Sequence, residues 1–321
     1  MKILILQNRM GIGDMIMFLP FIEAISKRYK TPVTILAKKN TKVEMYFNNK
    51  EIVEEIIYLE REDNNKHAGL TGFFRLTNEL KLKKFDKVFI FNSSLRYFLI
   101  SKFSGIKEVY HYPLFKKRNQ QIIEAAKEFI FKTIGENIES TPILFLKNQD
   151  ILKAKKDYSI DQNITNIILG IGGSGKTKRV PASIYKSFMG KALNKFNCKF
   201  FLMTGNNTDE LKIMDEIIES EYKKYCTPLN NLTIKEILPI IPNCQIAICN
   251  DSSFSHLSAG LGIKTIVLMA DTPLIYGSYN KNMYPILPEG EDRVTHDTLG
   301  KDKISPEEIY NKFEKLLGYI L

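Results

Sequence analysis

The sequence predicts an α/β protein built from two Rossmann-like halves with a ligand bound between them. Three observations carry this expectation. Short apolar runs alternate with helix-period segments along both halves of the 321 residues, the pattern of parallel strands covered on both faces. A chain of this length suits two domains better than one. Most strand-like runs of the second half end in Gly, Asn or Asp, and in such sheets ligands bind beyond the carboxyl ends of the strands.

In the first half, KILILQ (2–7) reads as a buried strand and DMIMFLPFIEAISKRY (14–29) as an amphipathic helix. PVTILA, EEIIYL, DKVFIF and KEVYHY read as further strands. The polar, turn-rich stretch 60–72 reads as a long mobile loop, a class of segment that often carries function. IGENIESTPILFLKN (134–148) is the linker, dividing the chain into domains 1–145 and 146–321. Beyond it, ITNIILGIGGSG, CKFFLMTG, QIAICND and KTIVLMA contain four strands. The last segment has Ser305 as N-cap, Pro306 at the first helical position and Glu308 two residues later, a capping box. Its apolar positions 309, 310, 313, 316, 317 and 320 form one helical face. This helix, 305–319, is able to pack back on the first domain.

Hydrophobic residues make up 44% and charged residues 26%, ordinary for a water-soluble globular chain. The net charge of +10 is uneven: residues 1–150 hold 25 Lys and Arg against 17 Asp and Glu, residues 151–321 hold 21 against 19. A basic first half suits nucleic acid, phospholipid headgroups or a phosphorylated substrate, and solvated lysines account for it equally well. Cys198, Cys226, Cys244 and Cys249 form no CxxC pair and read as buried thiols in a reducing compartment. The four histidines lack zinc-ligand spacing. KILILQ is too short for a signal segment, and no apolar run reaches the roughly 18 residues of a span. The expected location is the cytosol, with a membrane surface open to contact.

Three segments carry chemistry. GIGDMIMFLP (11–20) is a glycine turn leading into a helix, where a phosphate would ordinarily sit, yet it carries Asp14. Asp14 reads either as a helix N-cap or as a functional carboxylate. GIGGSGKT (170–177) matches the P-loop pattern, whose Lys and Thr must open a helix. Pro181 would break that helix in its second turn and fits better as the first residue of its own, leaving a glycine-rich phosphate-facing loop of another type. In CNDSSFSHLSAGLGIKTIVL (249–268), a strand ends at Asn250–Asp251 and a helix with His256 in its first turn follows. Ser252 and Ser253 offer hydroxyls and N–H groups to a diphosphate, His256 a further bond, and Asp251 an acceptor for sugar hydroxyls. The plainer alternative makes Asp251 or Ser252 a cap and His256 a surface residue.

Together these segments, in this order and spacing, resemble glycosyltransferase family 9, the heptosyltransferases of lipopolysaccharide core assembly, and the alternation of elements extends the resemblance over essentially the whole chain. The resemblance implies the GT-B fold, two Rossmann-like domains facing each other across a cleft, with the acceptor on the first and a nucleotide-sugar on the second. It implies catalytic roles for Asp14, the general base, and for Lys178, which contacts the donor phosphates. It implies donor binding by Gly13, Gly173, Ser174, Thr177, Asn207, Asp251, Ser252, Ser253 and His256. Ser253 stands where the family has Gly, so the backbone would approach a diphosphate less closely or need a φ that Ser tolerates poorly. Val180 replaces an aromatic residue, and Asn207 an acidic one that holds the ribose in some members.

The expected reaction is an inverting, metal-independent transfer of heptose from ADP-heptose to a lipopolysaccharide or lipooligosaccharide core, with no cofactor. The sequence contains no Asp-x-Asp, the metal-chelating signature of other transferases. Asp14 supplies the base, and Lys178, His256 and the helix start at 252–256 meet the departing diphosphate. The acceptor is expected to be an anionic lipid-linked saccharide, bound by Arg61, Lys66 and Arg75, with Lys116, Lys117 and Arg118 as a second cluster. This reading leaves peripheral contact with the cytoplasmic face of the inner membrane open, and expects no nucleic acid as partner. Two other readings remain open: a P-loop hydrolase using Lys176, Thr177 and Asp251, and a silent nucleotide-sugar binding protein.

Overall fold

A computed structural model describes residues 1–47, 49–61, 65–114 and 122–318, which fall into two compact units, Met1–Pro142 and Ile143–Leu321. The division lies inside the stretch read as a linker.

Among its described residues, unit 1 has five parallel strands, β1 (Ile3–Gln7), β2 (Val33–Ala37), β3 (Val53–Tyr58), β4 (Lys87–Ile90) and β5 (Glu108–His111), in the order β3-β2-β1-β4-β5. Each coincides with an apolar run read from the sequence. The helices are α1 (Ile12–Tyr29), α2 (Val43–Tyr46), α3 (Gly69–Lys83), α4 (Leu95–Phe103) and α5 (Ile122–Ile134). Successive side chains of β1 point to opposite faces. Leu4 and Leu6 join Leu76, Leu80, Tyr97 and Ile100 of α3 and α4 in one core. A second cluster links α1 to α5 through β4's end: the Phe91 ring lies 5.2 Å from Phe18 and 5.2 Å from Phe129.

Two sequence expectations change here. Helix α1 starts at Ile12, not residue 14, with Gly11 as N-cap at φ +97°, a conformation that needs glycine. Within the stretch 60–72, read as a long mobile loop, α3 already begins at Gly69 and His67 is buried, while residues 62–64 lie outside the described residues.

Unit 2 has six parallel strands, β6 (Thr165–Gly170), β7 (Cys198–Met203), β8 (Cys226–Pro228), β9 (Ile246–Asn250), β10 (Lys264–Leu268) and β11 (Met283–Ile286), in the order β11-β10-β9-β6-β7-β8. Its helices are α6 (Asn148–Asp157), α7 (Ala182–Lys195), α8 (Thr208–Ile218), α9 (Ile234–Ile237), α10 (Ser253–Gly260) and α11 (Pro306–Leu317). The strands absent from the sequence reading, β8 and β11, are the sheet's two edges, and each contains a proline. Proline cannot donate to a ladder, and an edge tolerates that loss.

Helix α11 is seated within unit 2. Its Ile309 and Phe313 belong to the unit 2 core, and Phe313 sits 5.3 Å from Phe188 of α7. Lys191–Glu307 (2.5 Å) and Lys195–Glu314 (2.7 Å) pairs flank that seam. Ser305 Oγ accepts the Glu308 N–H at 3.5 Å, as the capping pattern predicts.

All four cysteines are unpaired. Cys198, Cys244 and Cys249 are buried, Cys226 half-buried, and burial pushes the thiols of Cys198, Cys226 and Cys249 up to about 12.

Candidate functional site

At the carboxyl ends of β6 and β9, the glycine-rich stretch and the head of α10 are joined through one side chain. Asn250, last residue of β9 and fully buried, donates from Nδ2 to Ile171 O (2.8 Å) and Gly172 O (3.3 Å). Its Oδ1 accepts from Tyr185 Oη (2.8 Å) and the Val180 N–H (3.3 Å). Burial pushes the Tyr185 hydroxyl well above its usual range, so it serves as a donor throughout the physiological pH range.

The stretch itself is not a P-loop. Lys176–Lys178 form a single 3-10 turn, Arg179 is extended, and Pro181 caps α7 from one residue outside it. No helix opens at Lys176, as the spacing to Pro181 requires. Lys176 is exposed and pairs with Asp209 Oδ2 at 3.3 Å. Ser174 is exposed, and Thr177 and Lys178 are half-buried.

Lys178 Nζ lies 3.1 Å from Asp251 Oδ2, and His256 Nε2 lies 3.8 Å from Asp251 Oδ1. Asp251 is only 5% exposed, so a largely dry carboxylate stands between two nitrogen bases. His256 Nδ1 is 2.7 Å from Tyr279 Oη, and the two rings stack at 5.5 Å. Ser252 caps α10, and Ser255 Oγ donates to Ser252 O at 2.8 Å. Ser253 is the first residue of α10 and is not among the positive-φ residues, so the backbone strain expected from Ser at this place does not arise. Gly173 faces this turn: a Cβ there would stand 4.0 Å from Ser252 Cβ.

Behind the loop, Arg179 Nε donates to Gly173 O at 2.8 Å and Nη1 to Asp209 Oδ2 at 3.2 Å. Lys176 and Arg179 hold the Asp209 carboxyl below its usual range. The buried Glu210 accepts from the Gly205 N–H (2.5 Å) and Thr204 Oγ1 (3.2 Å), and a Cβ on Gly172 would fall 2.4 Å from its Oε2. Asn207 is the N-cap of α8; its Oδ1 accepts the Glu210 N–H and its Nδ2 donates back to Glu210.

In unit 1, Asp14 is the third residue of α1 and makes no cap bond, so the N-cap reading of Asp14 is replaced by Gly11 in that place. Gly13 is the residue before it in the same turn. Asp14 Oδ1 accepts from Arg9 Nε at 2.8 Å, and Gln7 Oε1 fixes Arg9 through its N–H at 2.8 Å. Asp14 remains 19% exposed, open to an incoming group.

The basic residues of the 60–75 region divide. Lys66 is paired with Glu79 at 2.7 Å, while Arg75 Nη1 lies 3.5 Å from Lys66 O. Arg61 lies over the Tyr97 ring at 5.8 Å. Arg96 donates to His67 O (3.0 Å) and Gly69 O (2.8 Å), and burial followed by repulsion from Arg61 lowers its pKa. His67 Nδ1 accepts the Glu60 N–H, which leaves the ring proton on Nε2, 3.2 Å from Glu79 Oε2. Lys116, Lys117 and Arg118 lie outside the described residues.

The sequence profile of glycosyltransferase family 9 (heptosyltransferase) matches residues 73–292, over half of the chain. The chain belongs to glycosyltransferase family 9. It is therefore a glycosyltransferase, as the resemblance implied. It is 26% identical over 274 residues to lipooligosaccharide heptosyltransferase 2 of Campylobacter jejuni subsp. jejuni serotype O:6, covering 81% of this chain and 79% of that one. Among solved structures, a family 9 glycosyl transferase from Veillonella parvula superposes with a TM-score of 0.77 at 15% identity, covering 99% and 98% of the two chains. The ADP-heptose LPS heptosyltransferase II of E. coli gives 0.72 at 18%, with the same coverage. These likenesses establish the GT-B fold.

The family 9 profile spans Lys178, Asp251 and His256 and begins after Asp14. Five residues of the unit 2 centre escaped the sequence reading: Arg179, Tyr185, Glu210, Asn250 and Tyr279. Two had a legible signal. Asn250 is the lone polar end of an apolar strand, and Glu210 stands three residues after Asn207, the spacing of a reciprocal cap. Tyr185 and Tyr279 are brought in by folds of chain 65 and 23 residues away, which no local pattern announces. In unit 1, Arg96 was missed for the same reason, 29 residues from His67, whereas Arg9 lies five residues before Asp14 and was passed over.

Proposed function

We propose that this family 9 transferase moves a heptosyl group from ADP-heptose to a lipopolysaccharide or lipooligosaccharide core sugar, with inversion and without a metal ion. The observation that carries the reading is the Lys178–Asp251–His256 cluster at the head of α10, with Lys178 Nζ 3.1 Å from Asp251. Two basic side chains and the positive end of a helix are suited to a diphosphate leaving group. Cations held by the chain do there what a divalent ion does in metal-dependent transferases. The names of the relatives supply the choice of heptose, ADP and a lipopolysaccharide or lipooligosaccharide acceptor.

Asp14 takes the proton from the acceptor hydroxyl as that oxygen attacks the anomeric carbon. The bond to the diphosphate breaks on the opposite face, and the electron pair leaves with ADP, protected by Lys178 and His256. Arg61 and Arg75, with Arg96, offer cations to the anionic lipid-linked acceptor. Gly173, Ser174, Thr177, Ser252 and Ser253 line the loop and turn proposed for the diphosphate, and Asp251 accepts from the sugar. Asn207, engaged with Glu210, shapes the nucleotide end of the site. The proposed location is the cytoplasm. No described helix is long and apolar enough to cross a membrane.

The test is transfer from ADP-heptose to a heptose-deficient core acceptor in EDTA, with the product read by mass spectrometry and its anomeric configuration by NMR. Transfer in EDTA is expected, with Asp14→Asn losing about 10²–10⁴-fold in kcat, the range of general base catalysis. Lys178→Ala is expected to lose about 10²–10³-fold, as for one preorganised electrostatic donor. Magnesium-dependent ATP hydrolysis without transfer, or nucleotide-sugar binding without product, would overturn the reading.

A further inference from the structure

Helices α3 and α4 of unit 1 pack side by side and leave large apolar side chains in the solvent. Leu70 is 79% exposed, Phe74 63% and Phe103 63%. Leu70 and Phe74 share one face of α3, being four residues apart. The Phe73 ring bridges the helices, 5.3 Å from Phe74 and 6.1 Å from Phe103, so the apolar groups form one continuous patch. Such side chains gain by leaving water, so a cluster left exposed marks a surface with an apolar partner.

The charges around the patch say which partner. Segments 69–83 and 95–103 carry Arg75, Lys81, Lys83, Arg96 and Lys102 against the single acid Glu79. Glu79 is already paired with Lys66. Arg75, Lys81 and Lys102 are exposed. An identical copy docking on this face would bring like charges together, whereas anionic headgroups neutralise them. Aromatic and leucine side chains rimmed by Lys and Arg are the composition of a surface seated at the headgroup–acyl boundary.

We infer that the α3–α4 face, with Leu70, Phe74 and Phe103 as its apolar centre and Arg75, Lys81 and Lys102 as its rim, docks on an anionic lipid bilayer. The inference rests on the proposed lipid-linked acceptor for its biological sense, and lipid binding is measured without any transfer reaction.

The chain contains no tryptophan, so Phe74→Trp introduces a sole indole at the centre of the patch. With vesicles of phosphatidylglycerol and phosphatidylcholine, its emission is expected to shift to the blue and to be quenched by brominated acyl chains. With pure phosphatidylcholine, or in about 0.5 M salt, both effects should shrink at least tenfold in apparent affinity, because exposed charges are then screened. Wild-type protein should co-sediment with the anionic vesicles, and Phe74→Ser/Phe103→Ser and Arg75→Glu/Lys102→Glu should each bind them about tenfold more weakly. Circular dichroism of each variant is to match the wild type. An unshifted indole, binding insensitive to lipid charge, or variants that sediment like the wild type would overturn the inference. So would a concentration-dependent dimer abolished by Phe74→Ser/Phe103→Ser, which would assign the face to a second copy.

Discussion

Asn250 shapes the site with four hydrogen bonds and takes no part in the proposed reaction. Its amide uses both hydrogens and two acceptor directions within the fold, tying Ile171 and Gly172 to Val180 and Tyr185. Asn250→Ala leaves these groups buried without a partner, and each such group costs about 1–3 kcal/mol. Partial relaxation brings the expected loss to about 2–4 kcal/mol, read by urea unfolding. Asn250→Asp should lose a similar amount, since a carboxylate cannot donate to the two carbonyls. An unchanged midpoint in both variants would show that the loop holds its shape by other means. At this scale the sequence was legible where chemistry follows from local order, as with Asp251, Ser252 and His256 at a strand end. It left two readings open for Asp14, cap or functional carboxylate, and the cap reading falls because α1 starts after Gly11, at φ +97°, with the carboxylate on the third helical residue.

Among the elements, α3 shows how Lys66 and His67, in a stretch expected to be mobile, are fastened. Glu79 on its buried side meets Lys66 Nζ and His67 Nε2, while the backbone of His67 accepts from Arg96. Burial works against the Glu79 charge, yet the hydrogen bonds from Lys66 and His67 outweigh it and hold the carboxyl below its usual 4.5. A lowered folded value contributes stability that is present above 4.5 and is lost as pH falls through that folded value. Glu79→Gln should therefore unfold earlier than wild type at pH 7, by under about 1 kcal/mol for a partly exposed pair. The two curves should converge in acid below the folded value, and a gap that persists there would show that the carboxylate's charge is not what fastens the loop. The strands were the most legible elements because parallel strands buried on both faces are continuous apolar runs. β8 and β11 were not, since an edge strand of three or four residues with a proline carries neither run nor alternation.

For the whole molecule, the consequence of two separate cores is that stability need not be shared. Unit 1 is closed by its own sheet, and unit 2 by α7 and α11 around another. The proposed donor groups, Gly13 apart, lie within Ile143–Leu321, so ADP should stabilise the transition of that unit selectively. At 100 times its dissociation constant the gain is about 2.7 kcal/mol. Hydrogen exchange with and without ADP is expected to show added protection in β6, β9 and α10 and none in β2 and β3. Equal protection in both sheets would contradict the assignment of the nucleotide to unit 2. The division into two halves was legible from the repeat of strand and helix. The seating of α11 on α7 was not, because an amphipathic stripe declares that it will be covered without declaring by what.

The four thiols of unit 2 give the chain a useful chemical silence. Only thiolates alkylate at appreciable rates, and thiols pushed up to about 12 hold almost none at neutral pH. The native protein should take up less than about a tenth of an equivalent of maleimide at pH 7 within minutes, and four equivalents once unfolded in urea. A single cysteine introduced on the surface then becomes the one address for a fluorophore or spin label, with the four natural cysteines left in place.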